Sequence, residues 1–188
     1  ESAGAVILRG REGMFSAGFD LGEFAKGPAA GIAMVTKGMQ LLIRLYSFPL
    51  PLVAACTGHA IAMGAFIIMA CDTRIGTRGN YKVTLPETAI GMELPAMLLE
   101  LTASRISPQY MTRVAIQSEV FEPDQAVTVG FLDEVVDAQV LDARALAVAE
   151  KLAHLPQRHY AANKLFARKK VLEAMAEGLE KMITPAPQ

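Results

Sequence analysis

From Gly58 to Cys71 the chain reads Gly-His-Ala-Ile-Ala-Met-Gly-Ala-Phe-Ile-Ile-Met-Ala-Cys, without one Asp, Glu, Lys, Arg or Ser, and Asp72 closes the run. A stretch this apolar and too short to cross a bilayer belongs in a protein core. A strand-like run over residues 51–57 leads into it at Gly58. The expected form is a turn, punctuated by Gly58 and Gly64, that feeds a buried helix. The first N–H groups of such a helix lack intrahelical acceptors and suit an anion or a developing negative charge. Any catalytic contribution from this segment therefore comes mainly from its main chain.

The chain has 188 residues, 52% of them hydrophobic, which is enough for one sizeable core. A net charge of −1 gives no electrostatic case for nucleic acid or an anionic membrane. Cys56 and Cys71 both lie in apolar runs and read as buried thiols of a reducing compartment. Their spacing fits no metal site. No signal peptide is visible, and Glu1-Ser2-Ala3-Gly4 leads at once into a strand, as if the chain opened inside a domain. Ten methionines and no tryptophan imply an adaptable apolar interior, compatible with a flexible acyl chain.

Strands are expected at 5–8, 52–56, 74–77, 81–85 and 131–136, and a glycine-broken apolar element at 14–21. Ile32, Val35, Met39, Leu42, Ile43 and Tyr46 share one helical face, which reads as core. Pro95 suits the first position of a helix to about Ser104, and Ser107-Pro108 opens another to about Gln117. Glu122-Pro123-Asp124 starts a short helix that stops at Gly130. Helices follow at 141–155 and about 160–182, with a frayed tail at 184–188. Short buried strands alternating with helices give an α/β class.

Two glycine turns invite joint reading. Gly18 brings the backbone of Phe19 to the end of one apolar element, and Gly64 sits in the other turn. Two N–H donors from separate segments, converging on one carbonyl oxygen, make an oxyanion hole. Glu87, in Leu85-Pro86-Glu87-Thr88-Ala89-Ile90-Gly91, is the third element. A carboxylate in an apolar wall holds its proton to higher pH and works as base, then acid, near neutrality.

In order, Phe15-Ser-Ala-Gly-Phe-Asp-Leu21, Gly58-x-Ala-x-x-x-Gly64 running to Cys71-Asp72, and Pro86-Glu87 before Gly91 resemble the crotonase (enoyl-CoA hydratase/isomerase) superfamily over nearly the whole chain. The resemblance implies a spiral of β-β-α units over residues 1–135 and a helical C-terminal region over 136–188. It implies homotrimers, often paired into hexamers. A further strand–turn–helix unit, supplying part of the CoA site, usually precedes the first strand seen here. The implied ligand is an acyl-CoA thioester whose enolate is stabilised. No cofactor or metal is held permanently, since coenzyme A comes as part of the substrate. A bacterial-type cytoplasm or the mitochondrial matrix is the implied compartment.

Carried over residue by residue, one oxyanion N–H falls on Phe19 and the second on Met63, whose side chain must then point away from the site. Ala17, Gly18 and Asp20 fall on the CoA path, and Gly64 closes the turn. Hydratases of the family keep an acid where this chain has Phe66, and a second acid at Glu87. With one acid absent, the resemblance favours the delta-3,delta-2-enoyl-CoA isomerases, which need a single base. A hydratase borrowing Glu93 and a silent CoA-ester binder are the alternatives. Lys164 or Arg168, in the basic stretch from Arg158 to Lys170, would reach CoA phosphates. His59 and Asp72 read as packing and helix-end residues.

Overall fold

A computed structural model describes residues 3–183; the tail expected at 184–188 lies outside them, as do Glu1 and Ser2. Strands β1 (Val6–Arg9), β3 (Leu52–Cys56), β5 (Thr73–Thr77) and β7 (Glu134–Val136) form a parallel sheet in that order. Strands β2 (Gly13–Ser16), β4 (Gly58–Ile61) and β6 (Val83–Thr84) form a second parallel sheet. The chain thus lays one strand in the first sheet and the next in the second. It then crosses back through a helix: α2 (Pro28–Tyr46), α3 (Met63–Ala70) or α4 (Ala96–Ala103). This is the expected spiral of β-β-α units. No helix among the described residues is long and apolar enough to cross a membrane.

The burial of β3 explains why Leu-Val-Ala-Ala-Cys carries no polar residue. Val53 and Ala55 face α7 (Leu141–Ala153), meeting Leu141, Ala145 and Ala149. Leu52 and Ala54 face the other way, onto Cys71, Val6 and Leu8. A parallel strand covered on both faces is apolar throughout. On α7 the three buried residues recur every fourth position, and two are alanines, which lets the helix sit close to the sheet. The largest core lies between α2, α3, α4 and the long α8 (Gln157–Ile183).

Several expected boundaries move. Gly58 is not in the turn: it is the first residue of β4, opposite Gly13, where a Cβ would meet the Gly13 carbonyl carbon at 2.1 Å. The turn lies at Ala62, which takes φ 52° and ψ −121°. Pro95 stands just before α4 rather than inside it. The helix expected to Gln117 is a 3-10 turn, Pro108–Tyr110, followed by α5 (Met111–Ala115). By contrast α6 (Pro123–Val129) has the ends read from sequence. Glu122 and Gln125 form a reciprocal capping box, and Gly130 closes the helix at φ 109°.

Candidate active site

The second sheet brings two turns together. Strand β2 runs beside β4 with an irregularity between Met14 and Ser16, and both strands end at the same edge. Gly18 follows β2 at φ 96°, its N–H donating to Ser16 Oγ at 3.3 Å. A Cβ on Gly18 would lie 3.2 Å from Ala62 Cβ and 3.5 Å from Met63 N, so the two turns abut. Among the described residues, neither the Phe19 N–H nor the Met63 N–H donates a hydrogen bond to a protein acceptor. Met63 opens α3, so its N–H is one of the groups a helix start leaves unpaired. The Met63 side chain is buried and turned towards α2. Its Cε lies 3.2 Å from where a Gly38 Cβ would be, beside the Phe19 ring.

Both turns open onto a cavity of about 300 Å³, at the small end for ligand sites. Ala17, Phe19, Met63, Phe66 and Glu87 all border it. Glu87 stands at the head of a 3-10 turn, Thr88–Ile90. Its carbonyl accepts the N–H groups of Ile90 at 3.2 Å and Met92 at 2.8 Å, which pins its backbone. The side chain is only 8% exposed, and Oε2 is buried with no hydrogen-bond partner. Burial pushes its carboxyl above the ordinary glutamate range. A buried, unpaired carboxylate at the wall of an apolar cavity has the chemistry of a general base. The cysteines offer no rival nucleophile, since burial pushes both thiols up to about 12.

The sequence model of the enoyl-CoA hydratase/isomerase family matches residues 1–184. The chain belongs to that family. Human mitochondrial enoyl-CoA delta isomerase 1 is 31% identical over 168 residues, covering 88% of this chain and 56% of the relative. The 2,3-dehydroadipyl-CoA hydratase of Escherichia coli is 28% identical, covering 82% of this chain and 60% of its own. The chain thus spans little more than half the length of these curated relatives. An enoyl-CoA hydratase/isomerase family protein from Pseudomonas syringae superposes with a TM-score of 0.91 at 36% identity, over 94% of this chain and 77% of that one.

Not every position carried over from the family borders the cavity. Asp20 is exposed and caps α1 (Leu21–Ala25), accepting the Gly22 N–H at 2.8 Å. Gly64 faces backwards onto β2, where a Cβ would meet Ser16 O at 2.3 Å. It is needed for close approach, not for lining. Gly18 likewise serves through its backbone.

Lys164 requires a correction. Its ammonium donates to Phe48 O at 2.8 Å and Leu50 O at 3.0 Å and pairs with Asp72 at 2.5 Å. All three of its protons are used inside the protein, so it is not free for phosphate. Arg168 also meets Asp72 at 2.8 Å and donates to Tyr46 O at 2.7 Å. The basic stretch of α8 is therefore in part an anchor.

The cavity also holds residues that sequence reading left out. Val35 and Met39, assigned to core by their helical stripe, border it, as does Phe24. Periodicity shows that a face is apolar but not whether it meets protein or ligand. Glu93, the alternative acid named from sequence, is exposed and borders the cavity too.

Proposed function

We propose that this chain moves the double bond of a 3-enoyl-CoA to give the 2-enoyl-CoA, with Glu87 as its single base. The observation that carries the reading is the buried, unpaired Glu87 Oε2 at an apolar cavity whose wall at position 66 is phenylalanine. Glu87 takes a proton from carbon 2. Electrons move onto the thioester oxygen, giving a dienolate held by the Phe19 and Met63 N–H groups. The protonated Glu87 then returns a proton to carbon 4. Each oxyanion donor contributes roughly a hundred- to thousandfold in rate, and a positioned base a similar factor. Ala17 to Asp20 lie along the CoA path in this reading. No permanent cofactor enters it, because coenzyme A arrives with the substrate. A homotrimer, or trimers paired into hexamers, belongs to the same proposal, as does a mitochondrial matrix or bacterial cytoplasmic location.

One observation favours a second reading. Glu93 borders the same cavity as Glu87, and two carboxylates are what water addition to a 2-enoyl-CoA requires. Incubating the full-length protein with 3-hexenoyl-CoA and with 2-hexenoyl-CoA separates the two. Isomerisation predicts double-bond migration with little 3-hydroxyacyl-CoA, and a Glu93→Gln variant that keeps its rate. Dominant 3-hydroxyacyl-CoA, lost in Glu93→Gln, would replace it with hydration. Binding without turnover of either substrate would make the chain a silent binder.

A further inference from the structure

Helix α2 has two glycines, Gly31 and Gly38, two turns apart and hence on nearly the same face. Each receives an aromatic ring. A Cβ on Gly38 would lie 2.4 Å from Phe19 Cζ, and one on Gly31 would lie 2.9 Å from Phe24 Cδ1. The two rings meet edge to face, with centroids 6.4 Å apart and planes at 85°. Phe24 comes from the short α1, between the Asp20 cap and the Gly27 turn, where φ is 112°.

Phe24 borders the reaction cavity on one side. On the other it borders a second apolar groove of about 510 Å³, walled by Gly27, Pro28, Ile32 and Met182. Val35 is the other residue common to both. Phe24 is 37% exposed, and its ring meets Phe19 edge to face and sits over Gly31.

We infer that Phe24 is the partition that sets acyl-chain length: it closes the reaction cavity against the outer groove, which would otherwise receive the far end of a longer chain. The inference rests on the acyl-CoA reading above and adds a specificity residue to it. It also explains Gly31 of α2. Any side chain at Gly31 would displace the Phe24 ring from its seat. Phe19 is different, since its backbone is fixed beside the Met63 turn and its ring only completes the wall.

The test is binding, so it does not need turnover. Hexanoyl-CoA and dodecanoyl-CoA, both saturated, are titrated calorimetrically into the full-length protein, Phe24→Ala, and Phe24→Ala with Ile32→Trp. Because burying each further methylene strengthens binding several-fold, Phe24→Ala should raise the dodecanoyl-to-hexanoyl affinity ratio by about tenfold. Filling the outer groove with Ile32→Trp should return the ratio towards that of the unaltered protein. A ratio unchanged in Phe24→Ala, or a gain that survives Ile32→Trp, would overturn the partition. Comparing two chain lengths within one variant cancels any loss of folded protein. If these ratios shift as expected while no 3-enoyl-CoA is isomerised, the isomerase reading falls and the partition stands.

Discussion

Glu87 is kept in a place that stability alone would not choose. A buried carboxylate oxygen without a partner destabilises the ionised folded protein. Because its folded pKa is raised, its contribution to stability is fully present below the ordinary glutamate value and is lost as pH rises through the raised one. Glu87→Gln removes that loss. Denaturant titrations should show the variant more stable by about 1 kcal/mol at neutral pH, with the gap closing in acid. A gap that stayed constant with pH would show that Glu87 is not strained by its charge. Ala62 is a second strained residue, the only one of the site's backbone positions with a Cβ at positive φ. Ala62→Gly should raise stability by about 1 kcal/mol, read as a higher melting temperature. Glu87 was legible because it is a lone charge among Leu85, Pro86 and Ile90. The strain at Ala62 was not, since alanine carries no turn signal.

Among the elements, those with local punctuation were read well. Strand β3 and helix α6 are bounded by their own prolines, glycines and capping residues. The corner from β3 to β4 was hidden because two buried strands of different sheets follow each other across Thr57 with no polar break. Gly58 was noticed as a turn signal, but its use is close strand approach. Lys164 was misjudged for another reason. Its partner Asp72 lies 92 positions earlier in the chain, and no periodicity within α8 reveals it. That pair ties α8 to the end of α3, with Tyr160 and Arg168 on the same carboxylate. Lys164→Ala leaves Asp72 with Arg168 and Tyr160 but strips the Phe48 and Leu50 carbonyls of their donor, and should cost about 2–3 kcal/mol by chemical denaturation. Its KM for the proposed acyl-CoA substrate, measured on protein that remains folded, should be unchanged. A large rise in KM with unaltered stability would restore the phosphate role.

At the scale of the whole molecule, the spiral explains why residues from positions 17 to 98 share one cavity. Each unit adds its second strand to the same parallel sheet, so the site collects the loops that follow β2, β4 and β6. The long α8 packs on α2 and α4 without reaching the cavity, and Phe166 stays 84% exposed, with Leu165 and Leu155 also open. If these faces meet in the proposed trimer, light scattering on the full-length protein gives three times the chain mass, and Phe166→Glu shifts it towards monomer. A monomer at all concentrations would remove the trimer from the account. In the proposed reaction one carboxylate, aided by two main-chain donors, moves the proton. It is tested most directly by the rate of 2-hexenoyl-CoA formation from 3-hexenoyl-CoA in the unaltered protein and in Glu87→Gln. Isomerisation should rise with pH as Glu87 ionises and fall by at least about a hundredfold in the glutamine variant. Turnover in Glu87→Gln at the rate of the unaltered protein would contradict it.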